Sequence, residues 1–358
     1  VAKCFTSGPV VQISFIFLMK SHLHTYPCPL HINFFWNIGF LLGIAILLQI
    51  ITGIFLSLYY ISDINSAYNS LFYIIREVYY GWYLRYFHSN GASFVFIFVF
   101  IHFGRGMFYG SYYYNTNTWL SGIVIFLLLM VIGFMGYVLP FGQMSFWGAT
   151  VITNLLSPFS SLIEYISGGY CFSNPTLKRF FIFHFILPFV VCGFVFIHIF
   201  YLHLISSNNP LSNTINNKIP FFPFIFIKDL FGLIIVISIY FLQTSYGISS
   251  LSHPDNSLEA CILITPLHIV PEWYFLCQYA MLKAIPNKNA GFIILLTSIL
   301  IFLIFSENRN IITLYILNNN GFYISISLFF SIYICFIWIG AQLPQEMFIS
   351  LSKSYKQW

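Results

Sequence analysis

Seven stretches of the chain stay apolar long enough to cross a bilayer: 35–60, 87–110, 119–140, 179–204, 229–247, 291–306 and 322–341. Each comes near the ~20 residues that a helical crossing needs, the sixth being short. Most connections are brief, and Asn/Pro-rich 206–223 predicts a polar turn. Two are long. Residues 141–178 and 248–290 hold Pro, Gly, Trp and amphipathic pieces, which predicts structure folded on or into the membrane surface. The pattern predicts an all-α integral membrane protein with three parts. They are an N-terminal segment 1–34, a bundle of four spans over 35–204, and a C-terminal membrane part 205–358 with three further spans.

Polar residues inside these runs carry the chemistry, because an ionisable group in lipid is costly and usually functional. The second span, YFHSNGASFVFIFVFIHFGRG, holds His88 and His102, and the fourth, FHFILPFVVCGFVFIHIF, holds His184 and His198. Each pair is 14 residues apart, close to four helical turns, so both rings leave by nearly one face roughly 21 Å apart. One span separates the two, so they cross in the same direction. His88 then shares a depth with His184, and His102 with His198. Each facing pair suits a ring-shaped metal cofactor gripped from both sides, and haem iron takes two neutral axial imidazoles. Arg85 and Arg105 each lie three residues from a histidine and could meet haem propionates. The first and third spans repeat the interval with Gly39 and Gly53, and with Gly122 and Gly136. Glycine lets a large flat group come close to the backbone. A packing histidine or a zinc site explains this less well, since zinc gathers its ligands at one depth.

Composition supports the membrane reading. The 358 residues have a mean hydropathy of +0.85 and only 6% charged residues. The net charge of +5 is spread along the chain, with no basic run for nucleic acid. Lys and Arg divide almost evenly between the two sides, so charge does not orient the spans. The seven cysteines form no CxxC or CxxCH, which argues against a zinc ribbon, a Cys-held cluster and covalent haem. The chain opens on Val1, and residues 1–30 do not read as a signal peptide. Heavy use of Phe and Tyr fits an AT-rich, organelle-type genome.

Two further polar groups stand out. His203, Lys228 and Asp229 fall near the His102/His198 depth. They either deliver protons to a quinone-like carbonyl pair or are interfacial charges. Glu272 sits in PLHIVPEWYF between Pro271 and the aromatics Trp273 and Tyr274. It is either a buried capping group or an acid whose pKa burial raises.

The four histidines, RYFHSNGAS (85–93), HFGRG (102–106), GYVLPFGQMSFWGATVITN (136–154) and PEWYF (271–275) together resemble mitochondrial cytochrome b. The resemblance runs from about residue 20 to 346 with every motif in order, and LMKSHLHTYPCPL (18–30) is similar to the form in apicomplexan and other alveolate organisms. It implies a dihaem four-helix bundle in the cytochrome b subunit of ubiquinol–cytochrome c oxidoreductase, complex III, in the mitochondrial inner membrane. His88 and His184 would ligate low-potential haem b, His102 and His198 high-potential haem b, with Arg85 and Arg105 at the propionates. Tyr137, Gly148, Ile152, Pro271, Glu272 and Tyr274 would line the quinol-oxidising pocket, where Glu272 accepts a proton. His203, Ser207, Lys228 and Asp229 would form the quinone-reducing pocket. Implied partners are the Rieske iron–sulfur protein, cytochrome c1, other complex III subunits, the bilayer and a second copy in a dimeric complex.

The chain departs from the pattern in three places. Phe141 stands for the usual Trp, Ser206 for the usual Gly, and after GAQLPQE (340–346) the residues FISLSKSYKQW are too short and polar for the family's eighth helix. The rival readings are a dihaem anchor of another quinone-linked dehydrogenase, a proton-coupled transporter without haem, and a non-catalytic assembly copy.

Overall fold

The computed structural model describes residues 20–156, 158–169, 171–210, 217–307, 320–343 and 345–355. In chain order its helices are α1 (Ile38–Ser57), α2 (Ala67–Arg76), α3 (Gly81–Phe108), α4 (Thr116–Val138), α5 (Gln143–Leu155), α6 (Ser160–Ser167), α7 (Asn174–Ile205), α8 (Phe226–Tyr246), α9 (Leu276–Lys283), α10 (Lys288–Ile304), α11 (Asn320–Ala341) and α12 (Glu346–Tyr355). Seven of them, α1, α3, α4, α7, α8, α10 and α11, are long and apolar enough to span a membrane. They are the seven predicted spans. Several start earlier than their apolar runs, because the first turns carry interfacial residues such as Trp82, Tyr83 and Arg85 on α3. Little else is regular. A two-stranded ribbon pairs β1 (Pro27–Pro29) antiparallel with β2 (Lys218–Pro220), tying the N-terminal segment to the approach to α8.

α1 packs along α3, and α4 along α7, while α1–α7 and α3–α4 contacts close the four into a bundle. α8 lies against α3 and α1, and α9 joins α10 and α11. The spans are apolar on nearly every face, as lipid requires. α7 turns many large residues outward, including the exposed Phe183, Phe185, Phe189, Phe196 and Phe200. Its start is firmly set: Ser173 and Thr176 form a capping box and Pro175 occupies the first turn. Pro188 inside the same helix is tolerated as in other membrane helices.

The centre of the bundle is a dry aliphatic layer. Ile46, Val95, Leu129 and Val191 are buried in one cluster. Each lies seven residues, two turns, from a Gly or His on its own helix: Ile46 between Gly39 and Gly53, Val95 between His88 and His102, Leu129 between Gly122 and Gly136, Val191 between His184 and His198. The layer therefore sits midway between the two histidine depths.

The two long connections fold onto each other. Asn256 Oδ1 accepts from the Ser145 backbone N–H at 2.9 Å, and the Ser145 hydroxyl reaches the Tyr137 carbonyl at 2.7 Å. The Gln143 amide donates to the Ile264 carbonyl and accepts from the Cys261 N–H, both at 2.7 Å. Its backbone N–H donates to the Leu258 carbonyl at 2.9 Å. Gly142 is forced by this seam, since a β-carbon there would lie 2.4 Å from the Asn256 carbonyl oxygen. Phe141, in place of the family's Trp, is buried and adopts a positive φ of 52° as the chain turns into α5.

Replacing Asn256 by Ala should cost about 1–3 kcal/mol, the penalty for leaving the buried Ser145 backbone N–H without its acceptor. Amide exchange in 141–147 and 253–264 should accelerate together while the spans stay protected. Exchange unchanged in both segments would show that the seam does not hold the loops.

Candidate functional site

The bundle brings the four intramembrane histidines into two facing pairs. The ring centres of His88 and His184 are 6.2 Å apart, and those of His102 and His198 are also 6.2 Å apart. A metal–imidazole bond is ~2 Å and the nitrogen lies ~1.2 Å from its ring centre, so two axial rings on one metal would have centres ~6.4 Å apart. Both pairs fit one metal between two imidazoles.

The opposite nitrogen of each ring is engaged by the protein. His184 Nδ1 donates to the Ile132 carbonyl at 2.9 Å. The Thr52 hydroxyl donates to the Leu48 carbonyl at 2.7 Å, so its oxygen accepts from His88 Nδ1 at 2.8 Å. Ser121 does the same for His198, donating to the Thr118 carbonyl at 2.9 Å and accepting from Nδ1 at 3.0 Å. These bonds place the proton on Nδ1 and leave the Nε2 lone pair for a metal. His102 differs: the nearest group to its Nδ1 is Arg105 Nη2, a donor, at a long 3.4 Å.

Each glycine lies under one histidine. A β-carbon on Gly53 would come 3.1 Å from His88 Cε1, on Gly39 3.2 Å from His102, on Gly122 3.1 Å from His198 and on Gly136 2.5 Å from His184. The sequence reading expected these glycines to admit a flat cofactor. Their direct neighbours are the imidazoles, so they set how deeply each ring seats against the facing helix.

Two cations complete the bundle. Among the described residues the sole ion pair is His253–Asp255, so neither Arg85 nor Arg105 meets a carboxylate. Arg105 lies over the Trp36 ring at 5.1 Å, and its Nε is buried with no partner. A buried guanidinium with unused donors is suited to the carboxylates of a haem edge.

A cavity of about 400 Å³ opens beside the His88/His184 pair. Arg85, Gly53, Gly136, Tyr137, Glu272 and Tyr274 line it together with both histidines. Glu272 precedes a 3-10 turn, Trp273–Phe275, that is pinned on both sides. Trp273 Nε1 donates to Ser93 Oγ at 3.0 Å, and buried Tyr274 stacks on Phe96 at 3.9 Å. Burial pushes the Glu272 carboxyl up to about 7, opposed by the Arg85 charge. Gly148, Ile152 and Pro271 lie outside the cavity lining. His253, read from the sequence as an ordinary loop histidine, lines it.

At the other end His203, Ser207, Lys228 and Asp229 gather beneath the N-terminal segment. Lys228 Nζ donates to the Ile32 carbonyl at 2.6 Å, and Asn37 Nδ2 donates to the Lys228 carbonyl at 2.8 Å. Asp229 is buried and Ser207 half-buried. Ser206 holds a φ of 78°, a conformation open to glycine and strained for serine. The sequence reading missed His22, Tyr26 and Asn37 here, and Thr52, Ser93 and Ser121 in the bundle. Their helical spacing from the glycines and histidines was the available signal: Thr52 and Ser121 each adjoin a slot glycine.

Fold and site together define a multi-pass, haem-binding membrane protein. Residues 23–206 match the family Cytochrome b/b6/petB, and residues 259–357 match Cytochrome b (C-terminal)/b6/petD. Cytochrome b of Plasmodium chabaudi is 49% identical over 336 residues, 93% of this chain and 89% of that protein. Cytochrome b of Toxoplasma gondii is 48% identical over 292 residues, 82% of this chain and 79% of that protein. A solved chain of a hyperthermophilic respiratory Complex III superposes with a TM-score of 0.87 at 26% identity, covering 96% of this chain and 93% of that one. The chain belongs to the cytochrome b family, in its mitochondrial, apicomplexan-like form, and its place is in respiratory complex III.

Gly136→Ala should displace the His184 ring, whose Cε1 stands 2.5 Å from the new β-carbon. One b-type haem signal should fall in the reduced-minus-oxidised spectrum while the other persists. Both signals intact would show that the ring can shift without losing the metal.

Proposed function

We propose that this chain is the catalytic membrane subunit of a quinol–cytochrome c reductase, oxidising quinol at one side and reducing quinone at the other. Support comes chiefly from one observation: two imidazole pairs with identical 6.2 Å separations, each flanked by an arginine that meets no carboxylate among the described residues. His88 and His184 hold the low-potential haem b, His102 and His198 the high-potential one. Arg85 and Arg105 hold propionates. When bound, the two haems supply one-electron carriers at two depths of the membrane. The haem bundle is 35–204, and 205–358 contributes the quinol-site loop 248–290.

The protein's own part in quinol oxidation is to bind, orient and take protons. Tyr137, Glu272 and Tyr274 face the cavity beside His88 and His184, with Gly148, Ile152 and Pro271 extending the pocket. Glu272 accepts a quinol hydroxyl proton as the carboxylate, and its raised pKa makes the resulting acid stable near neutral pH. The Trp273–Ser93 bond and the Tyr274–Phe96 stack fix its position. On the opposite side His203, Ser207, Lys228 and Asp229 bind ubiquinone and supply protons. The partners are the Rieske iron–sulfur protein and cytochrome c1, which take the first electron, with the remaining subunits in a dimeric complex of the mitochondrial inner membrane.

Redox titration of the purified complex should resolve two b-type haems of distinct potential. His184→Ala should remove one of them together with quinol oxidation, and retention of both would refute the pairing. Glu272→Gln should slow quinol oxidation by about 100-fold, within the usual span for losing a general base. In the native complex the rate should rise with pH through about 7, as the carboxylate becomes available. A flat profile, or one unaltered by Glu272→Gln, would remove Glu272 from the proton path.

A further inference from the structure

We propose that His22 is a proton-relay residue of the quinone-reducing side, drawing a proton from water and passing it to His203. The proposal rests on the reading of His203 as a quinone-site residue. Residues Lys20–His24 form a short helical turn just before β1, brought over the end of α7 by the β1–β2 ribbon. This puts His22 Nδ1 3.0 Å from His203 Nδ1, although the two residues are 181 positions apart. The rings are nearly parallel, 7° between planes, with centres 5.2 Å apart. Tyr26 stacks on His203 as well, at 4.2 Å. His22 is exposed and His203 half-buried, so the pair runs from water inward.

Two ring nitrogens at this distance share one proton: one is a donor, the other a lone pair. A neutral His203 that accepts at Nδ1 carries its own proton on Nε2 and is a donor there. When that Nε2 proton passes to a quinone carbonyl oxygen, the Nδ1 proton of His22 moves to His203 Nδ1, and His22 takes a replacement from solvent. Reduction to quinol needs two electrons, which a haem held by His102 and His198 would supply, and two protons. The relay carries one proton and buried Asp229 the other. A pair of imidazoles suits this, because each ring can bind a proton at one nitrogen while releasing one at the other.

The test uses the intact complex and stopped-flow reoxidation of reduced b-type haem by decylubiquinone. His22→Ala and His22→Phe should each slow reoxidation by about 100-fold, the lower reach of acid–base effects, with haem spectra unchanged. Added imidazole should restore the His22→Ala rate. His24→Ala, on the same turn, should match the native complex. A native rate in His22→Phe would mean the ring only packs, and a slow His22→Ala complex that imidazole does not restore would likewise overturn the relay. His203→Ala separates the two levels. If it is slow while His22→Ala is fast, the relay fails alone; if His203→Ala is itself fast, the quinone-site reading fails.

Discussion

The structure depends on a contact between glycine and imidazole. A histidine can point into a tight four-helix bundle only where the facing helix has no β-carbon. Gly39, Gly53, Gly122 and Gly136 supply that clearance at distances of 3.2, 3.1, 3.1 and 2.5 Å from the four rings. The contact explains which helices pair: glycine-bearing α1 lies along α3, and glycine-bearing α4 along α7. It also explains the interval. Fourteen residues bring glycine and histidine back to the same face almost four turns on, and the seven-residue midpoint falls there too. Ile46, Val95, Leu129 and Val191 occupy that midpoint and close the bundle between the two ring depths. One periodicity thus builds two polar slots and the apolar layer that separates them.

A second constraint acts outside the bundle. The proposed proton role of Glu272 requires a carboxyl near the His88/His184 pair that no salt bridge neutralises, and among the described residues it forms none. The turn that carries it is fixed by neutral groups, the Ser93 hydroxyl and the Phe96 ring, so the acid keeps its capacity to take a proton. The seam at Gln143, Ser145 and Asn256 closes the loops around the same cavity with amide and hydroxyl bonds rather than charges. In this low-dielectric setting the Arg85 charge is left to oppose burial at Glu272, and the balance holds the carboxyl at about 7.

Much of this was legible in the sequence, and the reason is physical. Lipid forbids unsatisfied backbone, so apolar length alone yields the seven spans. Helical period and span parity then place His88 with His184 and His102 with His198. The glycine interval was equally visible, though its direct partner was not: spacing gives the depth of Gly136, and only packing shows that His184 lies upon it. What spacing could not reach were contacts between distant loops. Asn256 with Ser145, and His22 with His203, join segments 111 and 181 residues apart through one or two hydrogen bonds each, with no periodicity to announce them. Gly148, Ile152 and Pro271 came from family likeness rather than spacing, and they lie outside the lining of the cavity that Tyr137, Glu272 and Tyr274 share.

The two ends of the bundle solve one problem with different material. Under the proposed function each must let protons cross an apolar boundary next to an imidazole pair. At the His88/His184 end a single carboxyl on a pinned turn faces a cavity of about 400 Å³. At the other end the N-terminal segment, tied down by β1–β2 and by the Lys228 bond to Ile32, lays an exposed imidazole against a half-buried one. A carboxyl takes a proton and must turn or wait for solvent to lose it, whereas an imidazole can pass one across its ring. The first suits a site that releases protons as quinol is oxidised. The second suits the proposed role of drawing protons in, and the aliphatic layer of Ile46, Val95, Leu129 and Val191 lies midway between the two histidine depths.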